Sequence, residues 1–376
     1  MALAAALAVS APLVGADPAP PAEGATRVAT FNAALNRRNP GQLAQELRLG
    51  GSAQLAAVAE IIQRVRPDVI LINELDHDER EIAASLFRAY LATGRGDADG
   101  IDYPHLFTAP VNTGAPTGRD LDGDGRSDGP ADAFGFGYFA GQYGMAILSR
   151  LPFDEGAIRT FRLQRWAEMP DNLLPRAHFG AAADMLRLSS KSHWDAPVIL
   201  PDGRRMHLLA SHPTPPVFDG PEDANGRRNH DEIRFWVDYI SGAGWMTDDS
   251  GRAGGLAAGA DFVVLGDLNA DPADGDARRG ALHALLDLAQ DPAPKSAGAA
   301  AAPGARKSGD PALHTADWRE DGGPGNLRVD YVLPSRSWRV VGAGVFWPAK
   351  GDPLRRLVKT GGKASSDHRL VWVDLK

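Results

Sequence analysis

Five short polar motifs each close an apolar run: Thr30-Phe31-Asn32, Asn73-Glu74-Leu75, Gly266-Asp267-Leu268-Asn269, Arg328-Val329-Asp330-Tyr331 and Ser366-Asp367-His368. Together they supply four carboxylates, three carboxamides and a histidine. Oxygen donors of this kind suit a hard divalent cation. Such a cation neutralises charge and polarises oxygen, the two kinds of help that hydrolysis of a phosphate ester needs most. Asp267 and Asn269 stand two residues apart, so in an extended segment their side chains share one face. One can take a proton from water or orient it while the other holds the water or a phosphate oxygen. An isolated Asp-x-Asn is usually a turn. Here the apolar run Phe262-Val263-Val264-Leu265 precedes it and argues for a strand end.

The runs before the other motifs have the same character. Arg27-Val28-Ala29 precedes the first and Asp68-Val69-Ile70-Leu71-Ile72 the second. Short apolar runs with β-branched residues read as buried strands. Polar side chains at the ends of several strands are what a sheet offers when it builds a site at its edge. In this order, from Thr26 to Leu375, these residues resemble the endonuclease/exonuclease/phosphatase (deoxyribonuclease-I-like) superfamily. The Gly-Asp-Leu-Asn and Ser-Asp-His elements are the most specific part. The segment from Tyr143 to Ser149 is similar to the family's central strand, and Ser211-His212-Pro213 stands where members place a phosphate-contacting His or Tyr.

The resemblance implies an α/β four-layer sandwich: two packed, mostly antiparallel or mixed β-sheets with helices on the outer faces. It also implies a phosphoesterase that uses Mg²⁺ or Mn²⁺. Glu74 would be the principal metal ligand, with Asn32 and Asp367 completing the shell. Asp267 would be the base or water orienter and Asn269 its positioning partner. Asp330 would bind His368, fixing its tautomer and raising its proton affinity. His212 would contact phosphate or the leaving oxygen from across the site.

Three further groups stand outside that pattern. Ser192-His193-Trp194-Asp195 precedes a predicted strand, and His193 and Asp195 are candidates to line a substrate cleft; a hairpin turn is the alternative. Arg227 and Arg228 fall near a predicted helix N-terminus, where a phosphate clamp competes with an ordinary solvated first turn. Asp120, Asp122, Asp124 and Asp128, with Gly125 between them, resemble the first part of a calcium-binding loop. Ala131 occupies the twelfth position, where such a loop places a bidentate acid. Ca²⁺ is therefore a second expected ion, structural or catalytic.

The elements that must position these groups can be traced along the chain. Residues 52–65 carry Leu55, Val58, Ile61, Ile62 and Val65 at helical spacing, ending before Pro67. Further helices are predicted at 78–92, 227–240 and 280–288. Strands are predicted at 143–149, 160–166, 183–189, 196–200, 205–210, 261–266, 327–333, 339–346 and 370–375, with Asp202-Gly203 as a hairpin signal. Residues 94–137 read as a long surface excursion, and 291–309 as a low-complexity, mobile part of an insertion spanning 291–325.

The sequence has 376 residues, 43% hydrophobic and 23% charged, ordinary values for a globular fold. Residues 26–376 are expected to form one domain, because the first and last motifs must meet. A net charge of −8 gives no footprint for strong non-specific nucleic-acid binding, although a local basic groove would offset it. With no cysteine, disulfides and thiolate metal sites are excluded. Residues 1–16 read as a signal peptide: an apolar Ala/Leu/Val run, then Val14-Gly15-Ala16 as a cleavage site. No Lys or Arg precedes that run. Residues 17–25 are a flexible lead-in, and no segment is long and apolar enough to span a membrane. The protein is thus expected to be secreted or periplasmic, with no obligate protein partner evident.

The leading expectation is a phosphodiesterase or nuclease, since secreted bacterial members of the resembled family are often nucleases. A phosphomonoesterase that scavenges phosphate from small organic phosphates is the close alternative, favoured by the acidic charge. A non-catalytic binding module on the same fold is the alternative from another class. A retired site has no need to keep acid, amide and histidine together.

Overall fold

The computed structural model describes residues 17–218, 220–302, 308–318, 324–358 and 364–376. The expected signal peptide, residues 1–16, lies outside the described residues. The predicted apolar runs form strands that are buried along most of their length. In chain order these are β1 (Thr26–Asn32), β2 (Val69–Asn73), β3 (His105–Phe107), β4 (Met145–Ser149), β5 (Arg159–Thr160), β6 (His193–Ile199) and β7 (Arg205–Ser211). They continue as β8 (Phe262–Asp267), β9 (Ala316–Trp318), β10 (Gly325–Leu327), β11 (Asp330–Pro334), β12 (Val340–Val345) and β13 (Val371–Leu375). The helices are α1 (Gln42–Arg48), α2 (Ala53–Val65), α3 (Ile82–Leu91), α4 (Arg176–Phe179), α5 (Ala224–Ile240), α6 (Gly280–Leu288) and α7 (Ala297–Ala300).

One mixed sheet has the order β12-β13-β1-β2-β4-β3, and a second has the order β11-β8-β7-β6-β5; β10 and β9 form a small ribbon. The second sheet shows how the layers are built, because its residues alternate in allegiance. Leu208 and Ala210 of β7, Val263 and Leu265 of β8, and Val332 of β11 belong to the core shared with the first sheet. Leu209, Val264, Tyr331 and Leu333, the intervening residues, pack instead with Ile233, Phe235 and Trp236 of α5 and Leu282 and Leu285 of α6. A pleat of period two thus divides each strand between two apolar layers. On the other side, α2 packs Leu55, Val58, Ile61 and Ile62 into the core that holds β1 and β2. The expected four-layer sandwich is the observed fold.

Local signals set several boundaries. The Ser52 hydroxyl accepts from Leu55 N at 3.3 Å and starts α2, and Arg66 ends it in the left-handed conformation. The Asp78 carboxylate accepts from Ile82 N and Ala83 N at the start of α3, so the helix begins four residues later than predicted. The hairpin between β6 and β7 turns at Asp202-Gly203, where Gly203 has φ 86°.

Four expectations need correction. Predicted strand 183–189 is absent: Gly180–Met185 is a 3-10 helix, consistent with the small, unbranched residues Ala181-Ala182-Ala183. Predicted strand 160–166 shrinks to β5, because Trp166 turns into a 3-10 helix and its indole N–H donates to Asp231 at 2.7 Å. The stretch 94–137 is not all surface excursion, since it contributes β3 and buries Ile101, Tyr103 and Val111. Within 291–309, of which 303–307 lie outside the described residues, α7 is packed on one side. A side chain at Gly298 would put its Cβ 2.1 Å from the Trp347 carbonyl, and Ala299 is fully buried.

β13 lies antiparallel beside β1, joining the two ends of the fold. Across them Arg27 donates through Nε to Asp374 Oδ1 at 2.7 Å and through Nη2 to Oδ2 at 2.8 Å, while Nη1 donates to the Val65 carbonyl. Both side chains are buried. Asp374→Asn would leave the guanidinium buried beside a neutral amide. Urea unfolding should then show a loss of about 3–5 kcal/mol, as expected when one partner of a buried ion pair is removed. A change within experimental error would show that this pair does not hold β1 and β13 together.

Candidate active site

The topology gathers the polar strand ends at one edge of the sandwich. Asn32 at the end of β1 is in register with Asn73 at the end of β2, and Asp330 opens β11 opposite Asp267 at the end of β8. His212 follows the last residue of β7. Gly266 permits this closure: its φ is 147°, and a Cβ there would lie 2.0 Å from the Ser211 carbonyl. Glu74 and Asn269 adopt left-handed φ of 61° and 51°, strained values for such residues that concentrate at functional sites.

Asp267 is the hub. Its Oδ2 accepts from Asn32 Nδ2 at 3.0 Å and lies 3.4 Å from His212 Nε2 and 3.6 Å from His368 Nε2. Its Oδ1 accepts from Asn269 N at 2.9 Å. Asn32 Nδ2 also donates to Glu74 Oε1 at 3.1 Å. Asn269 Nδ2 donates to the Pro213 carbonyl, tying the His212 loop to the Gly-Asp-Leu-Asn turn. His368 Nδ1 meets the Asp330 carboxylate at 3.0 and 3.2 Å. Ser366 fastens the last motif to the first, its hydroxyl donating to the Asn32 carbonyl at 2.7 Å and accepting from His368 N.

Electrostatics separates the roles of these groups. Burial alone would raise the Asp267 carboxyl, but the His368 charge and the His212 hydrogen bond outweigh it and hold Asp267 below the ordinary carboxylate range. Burial pushes Asp330 up, against the opposing pull of His368. Burial would lower His368 too, yet the carboxylates of Asp330 and Asp267 lift its proton affinity well above the usual value. His212 goes the other way, lowered by burial and by the charge of Lys191. One imidazolium and one neutral imidazole therefore flank a carboxylate anion.

The site thus brings together Asn32, Glu74, His212, Asp267, Asn269, Asp330 and His368. Asp367 sits on the side of the Trp318 ring, whose N–H donates to its Oδ2 at 2.8 Å. Asp267, Asp330 and His368 each bring a ligand atom within 4.8 Å of the others, a spacing compatible with a metal ion. His368 is spoken for there, however, by its proton and its bond to Asp330. The expected ligands Glu74, Asp367 and Asn32 carry oxygen donors of the kind a hard cation takes, although it is the Asn32 amide nitrogen that faces Glu74.

The other candidates do not join the cluster. His193 is 1% exposed, with Nδ1 on the Ser189 hydroxyl and Nε2 on the Glu232 carbonyl, and burial lowers its pKa to about 4. Asp195 is equally buried and accepts from His207 Nδ1 and the Tyr239 hydroxyl. Both are core residues of β6, not the cleft lining expected of them. Arg228 is spent on the carbonyls of Leu188, Phe134 and Arg187, and Arg227 Nε donates to the Glu222 carbonyl. The Arg228 guanidinium is thus committed to the fold and not to the expected phosphate clamp. In the acidic loop, Asp120, Asp122 and Asp124 are exposed and mutually close. They accept N–H groups of their own loop, at Gly123 and Gly125, Asp124 and Arg126 respectively, while Asp128 pairs with Arg126.

Residues given no role from the sequence also build the site. Asn73 Oδ1 accepts from Asp267 N at 3.3 Å, and the Thr315 hydroxyl accepts from Asp330 N at 3.0 Å. The buried Glu232 carboxylate receives Ser190 N and its hydroxyl on one oxygen and Thr214 N on the other. It thereby straps the segments before β6 and after β7 together.

Residues 29–368 match the model of the Endonuclease/Exonuclease/phosphatase family. No curated protein matches the sequence. Among solved structures, an endonuclease/exonuclease/phosphatase from Beutenbergia cavernae DSM 12333 is 17% identical with a TM-score of 0.52, covering 94% of this chain and 72% of that one. A family protein from Leptotrichia buccalis C-1013-b is 13% identical with a TM-score of 0.48, over 93% and 99% of the two chains. The human Nocturnin catalytic domain is 16% identical with a TM-score of 0.46, over 95% and 96%. At these identities the likeness is one of fold.

Proposed function

Because the chain belongs to the endonuclease/exonuclease/phosphatase family, a family of hydrolases acting on phosphoester bonds, we propose that it is a divalent-metal-dependent phosphodiesterase of the nuclease type. The observation that carries this reading is the buried series His212–Asp267–His368–Asp330 beside Asn32 and Glu74. A bound Mg²⁺ or Mn²⁺, held by Glu74, Asp367 and Asn32, would neutralise phosphate charge and polarise its oxygen. The protein's own groups supply the rest. Asp267, held anionic, orients the attacking water more readily than it keeps a proton. The new bond forms from that water oxygen to phosphorus as the ester oxygen leaves. His368, charged and fixed by Asp330, faces the phosphate oxygens. The proton shed by the water passes by way of Asp267 to solvent, while the leaving oxygen departs against the N–H of neutral His212 and takes its proton from solvent.

A diester has a second arm that needs room. A cavity of about 800 Å³, lined by Asn36, Arg37, Arg38, Tyr138, Gln142 and Tyr143 among others, opens on the side of Tyr143, whose phenol lies in the field of Glu74. Among the described residues Arg38 makes no hydrogen bond or ion pair, and Tyr138 is exposed on its loop. These features suit a charged, ring-bearing arm better than a bare phosphate. The N-terminal run supports a secreted or periplasmic location. The deciding experiment compares plasmid DNA, bis-p-nitrophenyl phosphate and p-nitrophenyl phosphate with Mg²⁺, Mn²⁺ or Ca²⁺. Cleavage of the first two above the third supports the diester reading; turnover of the third alone would replace it with the monoester alternative.

A further inference from the structure

Lys191 stands in a polar stretch that no motif marks. It precedes β6, whose first residue His193 is in register with Ser211, the neighbour of His212. The residue is 6% exposed, and among the described residues its ammonium makes no hydrogen bond and no ion pair. Lysine is almost never buried in this way without a partner. The carboxylate that acts on it most strongly, Glu232, gives its oxygens to Ser190 and Thr214 and not to the ammonium. The segment is also rigidly seated. Asn112 N donates to the Lys191 carbonyl at 2.9 Å, and a Cβ at Gly135 would lie 2.0 Å from the Ser190 carbonyl. The strap through Glu232 fixes this lysine relative to the His212 loop.

The charge also lies within the electrostatic reach of the catalytic groups. Burial lowers the proton affinity of the ammonium, the carboxylates of Glu232, Glu74 and Asp267 act against that, and the ammonium in turn acts on His212. A buried ammonium with no hydrogen-bond acceptor, in the field of a site that must receive an anion, is best satisfied by that anion.

We propose that Lys191 is a phosphate-binding residue: its ammonium donates to a non-bridging oxygen of the phosphoryl group undergoing hydrolysis. It would supply a point charge to the phosphoryl group, complementing His368. Chemically this is the role of a lysine that needs no bidentate geometry. The proposal rests on the phosphoesterase reading above, and its test keeps the two separable.

Binding of inorganic phosphate in the presence of Mg²⁺ should be measured by calorimetry on the full protein and on Lys191→Met, with circular dichroism to check the fold. The Met variant keeps most of the side-chain volume and loses the charge. Phosphate should bind it about ten- to a hundredfold more weakly, the range for a lost hydrogen bond to a charged group, with Mg²⁺ affinity unchanged. Lys191→Arg should recover part of the loss. A folded Lys191→Met that binds phosphate as the wild type does would overturn the contact. Should the Met variant not fold, amine labelling of the wild type read by mass spectrometry decides. Phosphate should protect Lys191, and undiminished labelling with phosphate bound would overturn the contact. A wild type that cleaves no phosphoester at all would remove the phosphoesterase reading and this assignment with it.

Discussion

Asp267→Asn should abolish most turnover while leaving the fold in place. The substitution keeps the shape of a side chain whose Oδ2 accepts from Asn32 and lies beside His212 and His368. It removes the negative charge that orients the water and sustains the imidazolium of His368. Loss of a positioned acid–base group costs about two to four orders of magnitude in rate, and the effect should fall on kcat. Substrate binding should change less, because metal and cationic groups remain. Circular dichroism and thermal melting check that the β8 end survives. A variant with kcat within about tenfold of wild type would remove Asp267 from the reaction and shift attention to Glu74.

Asp330→Asn should move the alkaline limb of the pH–rate profile. In the folded protein His368 holds its proton to well above the ordinary imidazole range, because Asp330 and Asp267 outweigh the effect of burial. A raised pKa means that the imidazolium is present at neutral pH and is lost only as pH rises through the elevated value. The wild type should therefore stay active through neutrality and decline on the alkaline side. Without the Asp330 charge, His368 should lose its proton earlier, moving that decline downward by about one unit or more. Turnover should fall at neutral pH as well, since the ring loses the partner that fixes its tautomer. Mg²⁺ affinity measured by calorimetry should hardly change. A variant that no longer binds the ion would make Asp330 a metal ligand, and an unmoved alkaline limb would remove His368 as the titrating group.

Much of this arrangement was legible from apolar runs with polar ends. The segments around Val28, Ile70 and Val264 are short and β-branched, so both the strands and the edge at which their motifs meet could be read directly. The final Ser-Asp-His motif and the Asp330 partner followed from family resemblance. What stayed hidden is what depends on distant packing. Lys191, Glu232 and Thr315 each sit in an ordinary polar stretch, and nothing local marks a lysine as buried. Their roles come from elements far apart in sequence: Glu232 reaches Ser190 across 42 residues, and Thr315 supports Asp330 from 15 away. The same cause misdirected the reading of His193 and Arg228. A polar side chain beside a strand or in the first turns of a helix suggests a cleft, but here the packing of α5 on the second sheet encloses both. The absent strand at 183–189 reflects alanines, which are apolar enough to suggest a strand and too small to enforce one.

The central claim is metal-assisted phosphoester hydrolysis organised by Glu74, Asp267 and His368. Its most direct test is turnover of bis-p-nitrophenyl phosphate by the purified protein after treatment with EDTA and dialysis. The account predicts negligible release of p-nitrophenol from the metal-free protein and recovery on addition of Mg²⁺ or Mn²⁺. Full activity in the metal-free protein, or none with any added divalent ion, would contradict it.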